Sequence, residues 1–415
     1  MSGYTQRGRY LFDSAGRVAG FVDANGNEQL TPSLVSAAAS PAAMAMRAIS
    51  AGARTRPIIA LGIGDSHFMG YGSGTAVGGQ NFGNALINAP FHSLPVEIQN
   101  IGEFEVVNTA MWGDCNCSSL VAGSYPQLDP RVTFGSGVSA HITPTGLGGR
   151  LIAMAPTSGY LTINFGRPID SFELHAACTS SFSGSVEIYA SDDSYVGYAN
   201  TFAASAQIKR QLFSSQKFRD GIVKIKNAST TATAYLGGAI AWDSQKKQII
   251  VVNASYSGGK TGDLLSTANP WEGTGFLATI QPDATFIALT INDFLQSTAS
   301  ATYRSNLTTI AEAASLHGSV DIMTGALCAS ANSSDYDRWN TGVIGTTRGV
   351  EIVRACRDVA ASVNGQFLDL HQYYGSHPAM IAAGYATADY AHQTAAGYAY
   401  QRRAIAQMVS RRLST

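Results

Sequence analysis

Residues 58–67 read Ile-Ile-Ala-Leu-Gly-Ile-Gly-Asp-Ser-His, an apolar run that ends in a polar turn. An apolar run of this length favours a strand that is buried on both faces, as in a parallel sheet. Ser66 then stands between a strand and a helix, where the helix start stabilises developing negative charge. It is therefore a candidate nucleophile, and the alternative is an N-cap serine in an ordinary turn. Gly62 and Gly64 are expected to permit the tight turn.

Three later apolar runs also lead into polar residues that suit acyl transfer. Residues 249–252 precede Ser257-Gly258, residues 284–291 precede Asn292-Asp293, and residues 366–370 precede Asp389-Tyr390-Ala391-His392 after a loop. In an open α/β sheet, ligands bind beyond the carboxyl ends of the strands. These residues and Ser66 are therefore expected to meet in one crevice, which indicates a serine hydrolase.

Asp389 and His392 are the candidate acid and base. A spacing of three at a helix start places both side chains on one side of the first turn. The carboxylate can then fix the tautomer of His392 and leave the other ring nitrogen facing Ser66. The alternative is that Asp389 only caps the last helix. Asp369 with His371, and His67 beside the serine, are weaker rivals for the acid and base.

Gly258 and Asn292 are the candidate oxyanion donors. A tetrahedral intermediate needs preorganised donors, and the Gly258 amide and the Asn292 side chain can act with the amide of Ser66. The alternatives are a flexible turn at Gly258-Gly259 and a plain strand-end turn at Asn292-Asp293.

With these residues identified, the chain resembles the SGNH (GDSL-like) hydrolase family. Its blocks resemble residues 64–67, 251–258, 290–293 and 389–392, the last followed by Gly397. The resemblance covers about 56–115 and 249–413. It implies a three-layer α/β/α flavodoxin-like parallel sheet and a serine esterase that uses no metal or organic cofactor.

Two features depart from the family pattern. The third block usually opens with glycine, and here Thr290 takes that place. Gly113, in the segment 108–113, is a second candidate for the oxyanion glycine. Gly258 is preferred because Ser-Gly precedes Thr261 and a helix-like segment, as in the family.

The texture of the chain predicts three parts. Residues 1–55 read as short β-hairpins with a linker and resemble bacteriophage tail-fibre openings. Residues 56–115 and 249–415 form the predicted catalytic domain, with helices near 81–87, 303–316, 348–363 and 394–413. Residues 116–248 alternate apolar and polar positions between turns, which predicts an inserted β-sandwich that binds carbohydrate.

Composition narrows the function further. The 415 residues carry a formal net charge of −1, so no global field attracts nucleic acid or an anionic membrane. The sequence contains no run of 18 or more apolar residues, so it predicts no membrane-spanning helix. The amino terminus lacks the apolar segment of a secretory signal, so we expect release by another route such as lysis. The five cysteines have irregular spacing and are expected to be mostly reduced.

The favoured hypothesis is a serine esterase that removes O-acyl groups, above all O-acetyl, from a bacterial surface polysaccharide. The expected partner is acetylated polysaccharide, and the expected location is a phage tail virion or the extracellular space, with homo-oligomerisation or tail attachment left open. The alternative is a catalytically idle carbohydrate-binding or adhesion protein of a phage tail. A lipase or thioesterase is less favoured, because no apolar lid-like helix stands out.

Overall fold

The structure is a computed structural model of the chain. It describes residues 5–7, 10–12, 18–22, 28–30, 40–71, 73, 75–77, 80–83, 88–110, 129–145, 149–180, 184–255, 258–265, 270–271, 273–325, 343–344, 347–375, 377–387 and 391–414.

The described strands are β1 Thr5–Arg7, β2 Tyr10–Phe12, β3 Val18–Val22, β4 Glu28–Leu30, β5 Ile58–Gly64, β6 Thr75–Val77, β7 Gln80–Gly83, β8 Asn100–Ile101, β9 Phe104–Asn108, β10 Val132–Phe134, β11 Val138–Thr145, β12 Gly149–Met154, β13 Tyr160–Asn164, β14 Ser171–Cys178, β15 Ser185–Tyr189, β16 Tyr195–Asn200, β17 Gln207–Ser214, β18 Ile222–Asn227, β19 Ala234–Trp242, β20 Gln248–Asn253, β21 Ala284–Ala288, β22 Ser319–Met323, β23 Val343–Ile344, β24 Thr347–Arg348 and β25 Phe367–Leu368. The described α-helices are α1 Pro41–Ser50, α2 Leu277–Ile280, α3 Ile291–Leu295, α4 Ser300–Ser315, α5 Gly349–Ser362, α6 Leu370–Tyr374, α7 His377–Ala382 and α8 Ala395–Ser414.

A seven-stranded sheet in the order β25-β22-β21-β5-β20-β9-β8 forms the centre of the molecule. All neighbours in it are parallel except the edge pair β8 and β9. The central strand β5 lies between β20 and β21, which are far from it in sequence. Their carboxyl ends therefore lie side by side, where an open α/β sheet binds its ligands.

Helices cover both faces of this sheet, because alternate residues of a strand point to opposite sides. Ile59 and Leu61 of β5 belong to the same core cluster as Tyr303 of α4 and Ile352 of α5. Ile58 and Ala60 point the other way and join a cluster that includes residues of α1 and α8. The predicted α/β fold class, with a parallel sheet and an insertion, is confirmed.

Strands β10–β19 form two antiparallel five-stranded sheets, ordered β10-β13-β18-β15-β16 and β11-β12-β19-β14-β17. Inward side chains of both sheets, such as Ile163, Phe172, Val186 and Leu236, share one buried cluster. The alternation of apolar and polar residues along the strands produces this arrangement. This pair of sheets is called the sandwich below.

The sandwich packs on the parallel sheet through β14, β17 and β19. Trp242 of β19 belongs to the core cluster of the parallel sheet, and Thr109 Oγ1 donates to Ala239 O at 2.5 Å. On β14, Glu173 binds Arg56, which directly precedes β5. The sheet that contains β19 therefore faces the parallel sheet, and the other sandwich sheet lies beyond it.

The remaining predictions have mixed outcomes. Strands β1–β4 form a four-stranded antiparallel sheet, in line with the expected hairpins. The predicted helix near 81–87 is wrong where it can be compared, because Gln80–Gly83 is a strand paired with β6. Among the described residues, no helix is both long and apolar enough to cross a membrane.

Candidate active site

Gly62 and Gly64 make room for aromatic rings instead of supplying a special turn geometry. A Cβ atom added at Gly62 would lie 2.4 Å from the ring of Phe91, and one at Gly64 would lie 2.7 Å from the ring of Phe68. Neither glycine has a positive φ. The expectation that they permit a tight turn is therefore wrong, and their role is to let two phenylalanines pack against β5.

Ser66 lies in a hydrogen-bonded turn directly after β5. Asp65 O accepts from Phe68 N at 3.1 Å, and Ser66 O accepts from Tyr71 N at 3.0 Å. Asn253, the last residue of β20, braces this turn by donating from Nδ2 to Phe68 O at 3.0 Å. The side chain of Ser66 is buried at the carboxyl edge of the sheet, so its position is determined by two neighbouring strands.

The side chain of His392 contacts the side chain of Ser66. Ser66 Oγ lies 2.9 Å from His392 Nε2, although the two residues are 326 positions apart. The ring of Tyr71 lies 4.4 Å from that of His392, and the ring of His67 lies 5.3 Å from it. His392 O accepts from Thr387 N at 2.9 Å, which holds the backbone of the histidine. The imidazole is within reach of the serine proton that a general base removes.

Asp389 lies outside the described residues, together with Ala388 and Tyr390. Its role as the carboxylate that orients His392 stays a prediction. Gly113, the alternative oxyanion glycine, also lies outside the described residues.

Gly258 and Asn292 follow the two strands that flank β5. Gly258 has a φ of 77°, a backbone conformation that favours glycine. Asn292 Nδ2 donates to Gly259 O at 3.1 Å, which joins the second and third blocks. A side-chain amide carries two N–H groups, so this contact orients Asn292 while leaving a second donor in the amide. Both residues thus lie at the edge of the sheet that holds Ser66.

The carboxylate of Asp293 binds the loop that follows β20. Its carboxylate accepts from Thr261 N at 2.8 Å and from Thr261 Oγ1 at 2.9 Å. Burial raises the pKa of Asp293, and the hydrogen bonds from Thr261 oppose that rise. Asn306 Nδ2 also donates to Thr261 Oγ1 at 3.2 Å. Asp293 therefore positions the residues that follow Gly258.

Thr290 has a defined purpose in the place where the family has glycine. Thr290 Oγ1 accepts from Gly325 N at 2.5 Å, which ties the end of β21 to the segment after β22. Gly325 fits because a Cβ atom there would lie 2.4 Å from that hydroxyl oxygen. A glycine at 290 would leave a buried N–H without this acceptor, and such a loss is costly.

The carboxyl group of Asp65 is buried directly beside the nucleophile. Burial raises its pKa from 3.8 to about 7, and the nearby charge of Asp293 acts in the same direction. Backbone N–H groups oppose the rise, among them that of His67, which donates to Asp65 Oδ1 at 2.9 Å. The site therefore contains a carboxyl group that titrates near neutrality.

The alternative acid and base, Asp369 and His371, lie at the start of helix α6. Asp369 caps α6, accepting from Gln372 N at 3.0 Å, and its Oδ1 also accepts from Thr324 Oγ1 at 3.2 Å. His371 is buried in the first turn of that helix. Ser66 is paired with His392 and with neither of these residues.

Three supporting residues were not predicted from the sequence: Tyr71, Asn253 and Thr261. Asn253 had a usable signal, because a polar residue that closes the apolar run 249–252 must find a buried partner. Tyr71 and Thr261 offered none, because their partners His392 and Asp293 are distant in sequence.

Within the described ranges, no cluster of three or more His, Cys, Asp or Glu residues has the arrangement to hold a metal ion. The arrangement places a serine, a histidine and hydrogen-bond donors at one edge of the sheet. These are the groups that acyl transfer requires.

The sequence model of the GDSL-like Lipase/Acylhydrolase family matches residues 218–400. This range is less than half of the chain; it contains Gly258, Asn292 and His392 but not Ser66. No curated protein sequence matches the chain. This part of the chain is therefore similar to the GDSL-like acylhydrolases.

Among solved structures, one titled "Peptidoglycan O-acetylesterase in action" has a TM-score of 0.60 at 15% identity, covering 91% of this chain and 96% of that one. A likeness at this identity shows a shared fold. A carbohydrate acetylesterase family member from Sinorhizobium meliloti has a TM-score of 0.30 at 16% identity, covering 40% of this chain and 81% of that one. An acetylxylan esterase from Geobacillus stearothermophilus has a TM-score of 0.30 at 15% identity, covering 40% and 74%. The last two similarities are too low to bear on function.

Proposed function

We propose that the protein is a serine esterase that removes O-acyl groups, above all O-acetyl, from a bacterial polysaccharide. The observation that carries the proposal is the 2.9 Å contact between Ser66 Oγ and His392 Nε2 at the carboxyl edge of the parallel sheet. A serine paired with a histidine in this way has a base for its proton, which an ordinary turn serine lacks.

The proposed reaction has two halves. In the first, Ser66 Oγ attacks the ester carbonyl while His392 Nε2 takes the hydroxyl proton. The backbone amides of Ser66 and Gly258 and the side-chain amide of Asn292 bind the resulting oxyanion. The intermediate collapses, the sugar alcohol leaves with the proton from His392, and the acyl group remains on Ser66.

In the second half, water replaces the sugar. His392 takes a proton from the water as its oxygen attacks the acyl carbon, and the same donors bind the second oxyanion. The bond to Ser66 Oγ breaks, the proton returns to that oxygen, and a carboxylic acid is released. Asp389 is proposed to stabilise the imidazolium in both halves.

The choice of a polysaccharide ester rests on two supports. The relative with a shared fold over 91% of this chain is titled a peptidoglycan O-acetylesterase. The shared region includes a non-catalytic sandwich, which a small soluble ester would not require. The proposed setting is outside the bacterial cell, and attachment to a phage tail stays a prediction based on residues 1–55.

Hydrolysis of a chromogenic acetate ester tests the proposal. The wild type should turn over the ester, and Ser66→Ala and His392→Ala should each lose at least about a thousandfold in turnover number, as nucleophile and base mutants do elsewhere. Equal activity in the wild type and Ser66→Ala would overturn the mechanism, and no turnover by the wild type would favour the idle adhesion protein. Acetate release from a panel of acetylated polysaccharides then identifies the sugar, and a series of longer acyl esters tests the lipase alternative.

A further inference from the structure

The outer face of one sandwich sheet presents tyrosines in register. In the sheet β10-β13-β18-β15-β16, Tyr160 pairs with Lys226, Lys226 with Glu187, and Glu187 with Tyr198. The next row pairs Thr162 with Lys224, Lys224 with Tyr189, and Tyr189 with Tyr195. Residues directly opposite each other point to the same side of a sheet. We call this set of eight side chains the tyrosine face.

Three of the four rings of this face are exposed to solvent. Exposed fractions are 44% for Tyr160, 50% for Tyr195 and 64% for Tyr198. Between them in sequence, apolar neighbours such as Leu161 and Ala199 are fully buried in the sandwich core. The alternation therefore places the apolar residues in the core and the tyrosines on the solvent side. The exposed rings are not needed to pack the core of the sandwich.

Contacts within the face hold Tyr189 before any ligand arrives. Lys226 Nζ lies 4.4 Å from the centre of the Tyr189 ring, and the Tyr195 ring meets it edge-on at 5.7 Å. Tyr189 Oη donates to Glu187 Oε2 at 2.5 Å. A ring fixed in this way loses little conformational freedom on binding, so more of the contact energy appears as affinity.

The charges of the tyrosine face balance when the adjacent Asp193 is included. Lys224 and Lys226 both contact Asp193 Oδ1, at 3.1 and 3.5 Å. With Glu187, the patch has two cations and two anions, so an ionic ligand gains no net attraction. Protein interfaces are depleted in Lys, Glu and Asp at their centres, whereas here charged side chains lie between the tyrosines of both rows. Rings among hydrogen-bonding groups of no net charge suit the C–H faces and hydroxyls of uncharged sugars.

We propose that the tyrosine face is a non-catalytic binding site for an uncharged stretch of polysaccharide. It lies on the sandwich sheet farther from the parallel sheet, so it holds the polymer and takes no part in the chemistry at Ser66. The inference rests on the proposed function for the identity of the polymer alone. A second contact of this kind raises the effective concentration of the chain near the active site.

Binding is measured with full-length Ser66→Ala protein, in which the proposed nucleophile is absent, by affinity electrophoresis and calorimetry. The probes are chitohexaose, cellohexaose, xylohexaose and mannohexaose as uncharged glycans, and alginate and polygalacturonate as anionic ones. Tyr195→Ala with Tyr198→Ala should weaken binding of the best uncharged probe by about tenfold, since two ring contacts are lost. Tyr195→Phe with Tyr198→Phe should bind as before, because the rings remain.

Phe202→Ala is the matched control, since it removes an aromatic ring that is 45% exposed outside the two rows. It should leave binding unchanged. Failure of every uncharged glycan to bind, equal loss in the Phe and Ala pairs, or tighter binding of the anionic probes would overturn the proposal. A changed oligomeric state in sedimentation with unchanged glycan binding would show a self-association surface instead.

Chromogenic ester turnover by the tyrosine variants, made with Ser66 intact, separates the two proposals. Unchanged turnover with weakened glycan binding supports a separate binding site. If Ser66→Ala leaves ester turnover intact, the proposed function fails while the glycan measurement still decides the role of the face.

Discussion

The carboxyl group of Asp65, next to Ser66, ties the stability of the fold to pH. Its pKa is raised from 3.8 to about 7, so the folded chain retains a proton that the unfolded chain releases between those values. The stabilisation is therefore complete below pH 3.8 and is lost as the pH rises through about 7. One pKa unit corresponds to about 1.4 kcal/mol, so the loss is of the order of 4 kcal/mol.

Asp65→Asn should flatten that part of the pH dependence, because the amide does not ionise. Urea unfolding of wild type and variant on both sides of pH 7 measures the difference. Asp358→Asn is the control, since Asp358 is a half-exposed carboxylate in a surface ion pair with Arg304. An unchanged pH slope in Asp65→Asn would mean that Asp65 titrates near its ordinary value in the folded protein.

Asn292→Ala should lower kcat by about a hundredfold or more and change KM little, because an oxyanion donor acts on the transition state. Steady-state kinetics on the chromogenic acetate ester give both constants. Asp293 does not serve as the comparison, since its carboxylate holds Thr261. The matched control is Asn100→Ala, which removes an exposed amide from the edge strand β8 and should keep near-normal kcat. A raised KM with intact kcat would make Asn292 a binding residue.

The long carboxyl-terminal helix α8 is locked to the sheet by a buried ion pair near its end. Arg412 Nε donates to Asp321 Oδ2 of β22 at 2.9 Å, and both side chains are nearly excluded from solvent. Ser40, the N-cap of α1, donates from Oγ to Arg412 O at 3.2 Å. The pair therefore joins α8 to β22, while the same residue's backbone meets α1.

Removing one partner of this pair should cost about 3–5 kcal/mol, because the other charge stays buried without compensation. Asp321→Leu and Arg412→Met are the single variants, and the double variant should lose less than either. The free energy of unfolding in urea provides the comparison. If the double variant is as unstable as the sum of the singles, shape and not charge is responsible for the loss.

The polar contact between the sandwich and the parallel sheet is expected to matter for stability and not for chemistry. Glu173 accepts from Arg56 at 3.2 Å and lies 2.8 Å from His175 Nε2. Arg56 precedes β5 and Ser66 follows it, so this contact is at the opposite edge of the sheet from the active site. Burial alone would raise the pKa of Glu173, but the hydrogen bond with His175 and the charge of Arg56 hold it below its usual range.

Glu173→Ala should therefore destabilise the chain by about 3 kcal/mol, since the half-buried Arg56 and the buried His175 lose their carboxylate partner. Turnover of the chromogenic ester, measured well below the melting temperature, should stay within about twofold, because distant sites that share no partners act independently. Lys247→Ala removes an exposed ion pair with Glu103 and is the control. A large loss of kcat in Glu173→Ala would show that the sandwich contact reaches the active site.

At the scale of the whole molecule, the fold class could be predicted from the sequence, because the period of apolar residues is local. Runs such as 58–63 and 249–252 need only their own composition to be read as buried strands. The helices expected at 303–316, 348–363 and 394–413 appear as α4 Ser300–Ser315, α5 Gly349–Ser362 and α8 Ala395–Ser414. The predicted helix near 81–87 was wrong because that prediction also used local sequence alone. A stretch this short holds too few residues to show a helical period.

The contacts between residues that are distant in sequence depend on the tertiary structure. Ser66 and His392 were predicted to meet, but only the packing of the segment before α8 against the turn after β5 brings them together. The hydrogen bond between Thr290 and Gly325 and the hydrogen bonds between Asp293 and Thr261 had no local signal. Each depends on which strands become neighbours, and the free energy that chooses neighbours comes from burial over the whole chain.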